Sequence, residues 1–211
     1  MAEGRTRPDI APDVDGEATS AAMLALHRGQ AMGFPAGRPG EALTGRLHTL
    51  LDAVDAQAIA SGSTHLIRRA LADQPRAEEQ LITGLRGLYT ALGENPAPQR
   101  EARALLDYFS EEQLARLLVI SISSIQRYVR GERRPPDVVT DRLHWLAVAI
   151  GYLTGTYNEH GVRRWFDRPR TALGGQSPTQ ALLFQDDWTP DTEAAQRVEQ
   201  LARTLSGMPA T

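Results

Sequence analysis

The run from Ser110 to Gly131 constrains the fold most, because it contains two short helical patterns joined by only three residues. Ser110, with Gln113 three residues later, is typical of a capping box at the start of a helix. The first pattern then places apolar residues on one helix face, at Leu114, Leu117 and Leu118. Ser121 is a suitable N-cap for the second helix, and Gly131 suits a left-handed C-cap. The run therefore predicts a helix, a tight turn and a second helix packed against the first.

The second helix of this run has an apolar side and a polar side. Its inward side is predicted from Ile125, Tyr128 and Val129, which repeat the helical spacing. The residues predicted to face outward are Ser123, Ser124, Gln126, Arg127 and Arg130. Between positions 116 and 134 there are five arginines and one acidic residue, although the whole chain has a formal net charge of −3. Because this basic cluster coincides with an exposed helix, it favours contact with DNA phosphates.

Over about 22 residues the run resembles the helix-turn-helix of the lambda-repressor-like (Xre) family. The resemblance implies that the second helix enters the major groove of DNA with its N-terminal residues against base edges. Arg127 is then expected to contact guanine, and Gln126 to contact adenine. The full set of expected DNA-binding residues is Ser123, Ser124, Gln126, Arg127, Arg130, Arg133 and Arg134.

A second run, from Arg163 to Leu183, places an Ala-Leu-Gly-Gly-x-Ser-Pro motif after a helical pattern that contains a tryptophan. It looks like the toxin-binding segment of Xre/MbcA/ParS-type antitoxins. The match is carried by Trp165, Pro169, Ala172, Leu173, Gly174, Gly175, Ser177, Pro178, Leu182 and Leu183. Together with the helix-turn-helix that precedes it, the resemblance covers roughly residues 109–205.

This resemblance implies an antitoxin of a type II toxin–antitoxin pair. Its expected partners are a RES-domain toxin that consumes NAD, whose active site it covers, and operator DNA, which it binds as an autorepressor. The residues expected to bind the toxin are Trp165, Leu173, Gly174, Gly175, Ser177, Pro178, Asp186 and Asp187. The two glycines permit backbone angles and close approach that side chains would forbid. A cleft that takes the phosphates of NAD should carry positive potential, so the acidic residues after position 184 suit it.

Three positions depart from the pattern of these families. Ile122 is apolar where a polar residue is usual, and it could contact a thymine methyl group. Arg170 and Thr171 stand where Asn-Pro is common. Val119 stands where glycine is frequent, and a left-handed backbone at that position would strain a β-branched side chain.

Two other functions fit the same residues. The chain could be a stand-alone transcription regulator, in which the segment 163–183 only completes the core or a dimer interface. It could also be an adaptor that does not bind DNA, in which the helix-turn-helix is purely structural. A gene for a RES-type protein next to this one would favour the antitoxin over the regulator.

Composition argues against catalysis and against a membrane span. The chain contains no cysteine, which excludes disulfides, thiolate metal sites and cysteine nucleophiles. No arrangement of residues indicates a catalytic, metal or cofactor site, so we expect a protein that is not an enzyme. There is no apolar run of about 18 residues and no apolar signal core, which favours the cytoplasm.

Helical spacing dominates the chain, and we predict an all-α fold in four parts. Residues 1–40 are expected to be a mostly disordered arm, with a helical turn or two around 18–27. Residues 41–93 are expected to form a helical region, either a small bundle or a dimer interface. The helix-turn-helix domain should cover 99–157, and the toxin-binding segment 158–211. Because one short recognition helix rarely provides enough contact with DNA, we expect a homo-oligomer or a hetero-oligomer with the toxin.

Overall fold

The computed structural model describes residues 16–38, 40–72, 77–184 and 187–205. These residues form eleven α-helices and one 3-10 turn, with no strand among them, so the predicted all-α fold is confirmed. The helices are α1 (Gly16–Ala31), α2 (Leu43–Asp55), α3 (Ser61–Ala72), α4 (Glu78–Glu94), α5 (Pro98–Tyr108), α6 (Glu111–Leu118), α7 (Ile122–Arg130), α8 (Asp137–Leu153), α9 (Glu159–Asp167), α10 (Pro178–Leu182) and α11 (Glu193–Leu205). The 3-10 turn is Thr171–Leu173. None of the helices in the described ranges is both long and apolar enough to cross a bilayer.

The chain divides into two compact units. The first contains the described residues up to Gly29 and those from Phe34 to Glu94. The second contains Gln30–Gly33 and the described residues from Asn95 onward. The helices 158–205 therefore belong to the same unit as the helix-turn-helix, since α9 packs on α5 and α11 packs on α8.

In the first unit, the apolar stripes predicted for 41–92 are buried and form a core. The side chains that fill it from α2 and α4 include Leu47, Leu50, Leu51, Val54, Leu81, Leu85, Leu88 and Leu92. Helices α3 and α4 approach closely at Gly84, where a Cβ atom would lie 2.8 Å from Cγ1 of Ile67. Of the two interpretations given to these stripes, the structure favours a bundle, because a dimer interface would need them exposed.

The expectation that residues 1–40 are mostly disordered is wrong for 16–31, which form α1. This helix buries Ala18, Ala22, Ala25 and Leu26. Arg28 lies over the ring of Tyr89 on α4, with its guanidinium carbon 3.6 Å from the ring centre. The alanines have helical spacing, but their small side chains give a weak periodic signal. Residues 1–15 lie outside the described ranges.

Helix α8 is the centre of the second unit. Apolar side chains cover nearly its whole circumference, and those that are buried include Val139, Leu143, Trp145, Leu146, Ile150 and Leu153. A helix that is apolar on all sides is stable only when other helices surround it. Helices α5, α6 and α11 pack against α8 and thereby fix the position of α6 within the unit.

A turn at 56–60 separates α2 from α3, which begins at Ser61. Ala58 and Ala60 in that turn have positive φ, although neither is a glycine. Helix α4 continues through Gly93 to Glu94, one residue past the end predicted for the helical region 41–93.

Candidate nucleic-acid interface and partner segment

Helix α6 begins and ends as its sequence predicts. The capping box is present in both directions, with Gln113 N donating to Ser110 Oγ at 3.2 Å and Ser110 N donating to Gln113 Oε1 at 3.2 Å. At the other end, Val119 is left-handed, with φ 56° and ψ 49°. Its N–H donates to the carbonyl of Arg116, and the N–H of the following residue donates to that of Ala115, which together make a Schellman motif. Val119 therefore has the left-handed backbone that strains a β-branched side chain.

Helix α7 has the predicted caps and the predicted inward side. Ser124 N donates to Oγ of Ser121 at 3.3 Å, and Gly131 closes the helix with φ 72°. Ile125 and Tyr128 are buried against the rest of the unit, and Val129, also predicted to face inward, is half-buried. Because both ends of α7 are capped, its nine residues form a defined helix.

Most of the expected DNA-binding residues lie together on the outer side of α7 and on the loop after it. Those that are exposed are Ser123, Arg127, Arg130, Arg133 and Arg134, while Ser124 is half-buried. Arg127 folds back to donate from Nε to the carbonyl of Ser123 at 3.1 Å, and Arg130 pairs with Glu132 at 2.7 Å. Both bonds are at the surface, where exposed ion pairs and hydrogen bonds contribute little, so DNA can replace them.

Gln126 differs from the other expected base-reading residues. It is half-buried, and its Nε2 donates to Oε2 of Glu111 at 2.9 Å. A contact with adenine needs the amide oxygen and one N–H, and these remain after the bond to Glu111 is counted. Glu111 thus orients Gln126, a role that the sequence did not indicate.

The C-terminal end of α7 is held by α5. Arg103 donates from NH2 to the carbonyl of Val129 at 3.0 Å, and Gln99 Nε2 donates to the same oxygen at 3.5 Å. Carbonyls in the last turn of a helix have no partner in the helix, and a basic group there is also favoured by the helix dipole. Neither residue was predicted, because their partner is a main-chain atom 26 and 30 residues away.

The C-terminal end of α6 is held by two buried side chains. Trp188 Nε1 donates to the carbonyl of Leu117 at 2.8 Å, and Arg142 NH1 donates to that of Leu118 at 2.9 Å. Arg142 Nε also donates to the carbonyl of Trp188 at 2.7 Å. Burial lowers the pKa of Arg142, and the charge of Asp187 opposes that shift. These contacts join α6, α8 and the chain before α11. The sequence indicates them only through Arg142, a charged residue at an inward position of α8.

Four of the residues expected to bind a toxin are buried. Trp165, Leu173, Ser177 and Pro178 are covered by the rest of the unit, so they cannot form a partner surface. Trp165 packs edge-on against Phe166, with ring centres 5.1 Å apart, and Ser177 forms a complete capping box with Gln180. Arg170, which precedes the Ala-Leu-Gly-Gly loop, places its guanidinium carbon 5.1 Å from the ring centre of Trp165, so Trp165 contacts the start of the loop from the core side.

The loop itself is closed by its own backbone. Arg170 N donates to the carbonyl of Gln176 at 2.9 Å, and Gly175 N donates to that of Arg170 at 3.0 Å. Gly174 and Gly175 have φ of 65° and 85° and are exposed. A Cβ atom at either position would meet nothing within 4 Å, so within the described chain the glycines provide backbone angles and not close approach.

Phe184 is the most exposed large apolar residue in the described chain, with 77% of its surface accessible, and it was not predicted. It borders a cleft of about 330 Å³ between α10 and α11. The lining includes Leu173, Gln176, Leu182, Trp188, Glu193 and Arg197. Asp187 is exposed nearby in sequence, while Asp186 lies outside the described residues. The accessible part of the segment is therefore the glycine loop, Phe184 and Asp187.

No group of three or more histidine, aspartate or glutamate side chains that could hold a metal ion occurs in the part of the chain that the structure describes. The chain matches no protein-family model, no curated protein and no solved structure.

Proposed function

We propose that this chain is a DNA-binding antitoxin, which represses its own operon and neutralises a RES-domain toxin. The observation that carries the DNA-binding half is the outer side of α7. It combines a capped short helix, an exposed Arg127 and a following loop with exposed Arg133 and Arg134. A helix of this kind fits the major groove, while arginines beyond its end meet the phosphates.

Two arginine substitutions test this half by different physical effects. Arg127→Ala should relax sequence preference and cost about 1–3 kcal/mol of operator binding, because a base contact is lost. Arg133→Ala should weaken all DNA sequences alike and lower the salt slope by about 1, because a phosphate contact is lost. The measurement is a fluorescence anisotropy titration across salt on DNA from upstream of the gene.

Arg197→Ala is the matched control. This arginine lies on α11 in an exposed pair with Glu193, so its removal should leave both affinity and salt slope unchanged. If Arg127→Ala and Arg133→Ala also bind like the unmodified chain, α7 is not the DNA-binding helix.

The partner half of the proposal is supported by three accessible features of one segment. Phe184 offers an apolar side chain beside a cleft, which is the kind of anchor that protein interfaces bury. Gly174 and Gly175 present bare backbone, which lets a partner approach closely. Asp187 supplies negative charge that suits a cleft shaped for the phosphates of NAD.

Co-expression with the product of the neighbouring gene tests this half. Phe184→Ala combined with Asp187→Arg should release toxicity, because the apolar anchor is lost and the charge is reversed. Val138→Ala is the control, since Val138 is a 43% exposed apolar residue in the first turn of α8 and should leave neutralisation intact. If the double variant still neutralises the toxin, this surface does not bind it.

A stand-alone regulator is the second candidate, and one specific observation favours it. Trp165, Leu173 and Ser177 are buried, as they would be if the segment only completed the core. A harmless neighbouring gene product, together with normal operator binding, would favour the regulator over the antitoxin.

A further inference from the structure

We infer that Arg142 and Trp188 are positioning residues for DNA recognition, which fix the turn between α6 and α7 and thereby the direction of the recognition helix. This inference rests on the DNA-binding half of the proposed function. Arg142 lies on α8 and Trp188 lies before α11, and neither can touch DNA, because only 5% and 1% of their surfaces are accessible.

The last four carbonyls of α6 need partners, as in every helix. The backbone of the turn satisfies the first two through the Schellman motif. The other two are the carbonyls of Leu117 and Leu118, and they accept from Trp188 Nε1 and Arg142 NH1. All four carbonyls are thus satisfied, and half of the donors come from residues distant in the chain.

These two bonds matter for direction because the turn is short and strained. Only three residues separate α6 from α7, and the first of them, Val119, is held in a left-handed conformation that a β-branched residue avoids. If Leu117 and Leu118 lost their partners, the last turn of α6 could unwind and let Val119 relax. The start of α7 at Ile122 would then shift relative to α6.

A third bond makes the arrangement rigid. Arg142 Nε donates to the carbonyl of Trp188, so the arginine, the tryptophan and the end of α6 form a closed set of three hydrogen bonds. Arg142 and Trp188 are both buried, and buried hydrogen bonds are expensive to break because water cannot replace them.

The structure provides a matched pair of substitutions. Trp145 and Trp188 are both buried and pack edge-on, with ring centres 5.2 Å apart. Nε1 of Trp145 has no hydrogen-bond partner among the described residues, whereas Nε1 of Trp188 holds Leu117. Trp→Phe removes the same atoms at each position, but it breaks a hydrogen bond only at Trp188.

The experiment compares Trp188→Phe with Trp145→Phe on operator and on unrelated DNA, at a temperature where circular dichroism gives both as folded. We expect Trp188→Phe to lose roughly tenfold in operator affinity, as for the loss of one buried hydrogen bond. Affinity for unrelated DNA and the salt slope should stay unchanged, because no phosphate contact is removed. Trp145→Phe should stay within about twofold of the unmodified chain, since no hydrogen bond is lost. A purely structural role would lower stability and leave the ratio of operator to unrelated DNA affinity untouched.

Hydrogen exchange gives a readout that needs no DNA. The amides of Val119 and Ile120 should exchange faster in Trp188→Phe than in Trp145→Phe. Equal exchange and equal operator affinity in the two variants would overturn the inference. If the unmodified chain selects no DNA, the proposed function fails, and the exchange data alone decide whether the turn is held.

If Trp188→Phe does not fold, Arg142→Lys replaces it in the DNA-binding comparison. Lysine keeps the charge but lacks the planar fork that reaches two carbonyls at once. It should reduce the ratio of operator to unrelated DNA affinity in the same direction, and an unchanged ratio would count against the inference.

Discussion

The turn after α6 and the loop after α9 contain the same backbone feature but hold it in different ways. Val119 and Gly174 are both left-handed, with φ of 56° and 65°. Gly174 adopts this conformation without steric cost, and its loop is closed by its own backbone bonds. Val119 adopts it against the preference of a β-branched residue, at the end of a helix held by Arg142 and Trp188. A glycine turn is encoded locally, whereas a valine turn depends on distant parts of the sequence.

The largest effect expected from this comparison is that of Arg142→Ala. The substitution leaves the buried carbonyls of Leu118 and Trp188 without a donor, so the free energy of unfolding should fall by about 2–4 kcal/mol. Urea denaturation measures it. Arg197→Ala removes an arginine whose pair is exposed and should cost less than about 0.5 kcal/mol. Similar losses from the two variants would mean that Arg142 does not hold the turn.

The next effect is that of Gly174→Ala in the locally encoded loop. A Cβ atom fits the space but not the left-handed backbone, so the free energy of unfolding should fall by about 1–2 kcal/mol. Gly62→Ala is the control, because Gly62 lies in α3 with open space around it and alanine should stabilise the helix by about 0.5–1 kcal/mol. The two substitutions should shift the melting temperature in opposite directions, and a loss at both would refute this explanation.

The smallest effect is a gain in stability from Val119→Gly. Removing the side chain relieves the left-handed strain, but it also frees the unfolded chain, so a net gain of roughly 0.5–1 kcal/mol is expected. Val138→Gly changes a valine of nearly equal exposure in a right-handed helix, and should destabilise by about 1 kcal/mol. If Val119→Gly is also destabilising, the side chain of Val119 has a stabilising contact that outweighs its strain.

Local signals in the sequence predicted much of the fold. The capping box at Ser110, the cap at Ser121 and the left-handed Gly131 are each determined by residues within a few positions, and all three are present. Only a helical turn or two was predicted around 18–27, where α1 runs from Gly16 to Ala31, because its buried positions are mostly alanines, such as Ala18 and Ala22, which give little hydrophobic periodicity.

The candidate site was predicted less well, because its geometry depends on long-range contacts. The outward position of Arg127 follows from helical spacing alone. The orientation of Gln126 by Glu111, and the bonds from Arg142 and Trp188 to α6, join residues 15 to 71 positions apart. In the segment 163–187, the motif predicted the exposed glycines Gly174 and Gly175, but its Leu173, Ser177 and Pro178 are buried, and the exposed Phe184 belongs to no motif.

Selection of bound sequences from a random duplex pool tests whether α7 reads DNA. The unmodified chain should enrich a two-fold symmetric sequence with half-sites about 10 base pairs apart or a multiple of that. Arg127→Ala should enrich sequences in which one position of each half-site has lost its guanine preference. If the unmodified chain enriches no sequence, or if both proteins enrich the same sequence, α7 does not read DNA.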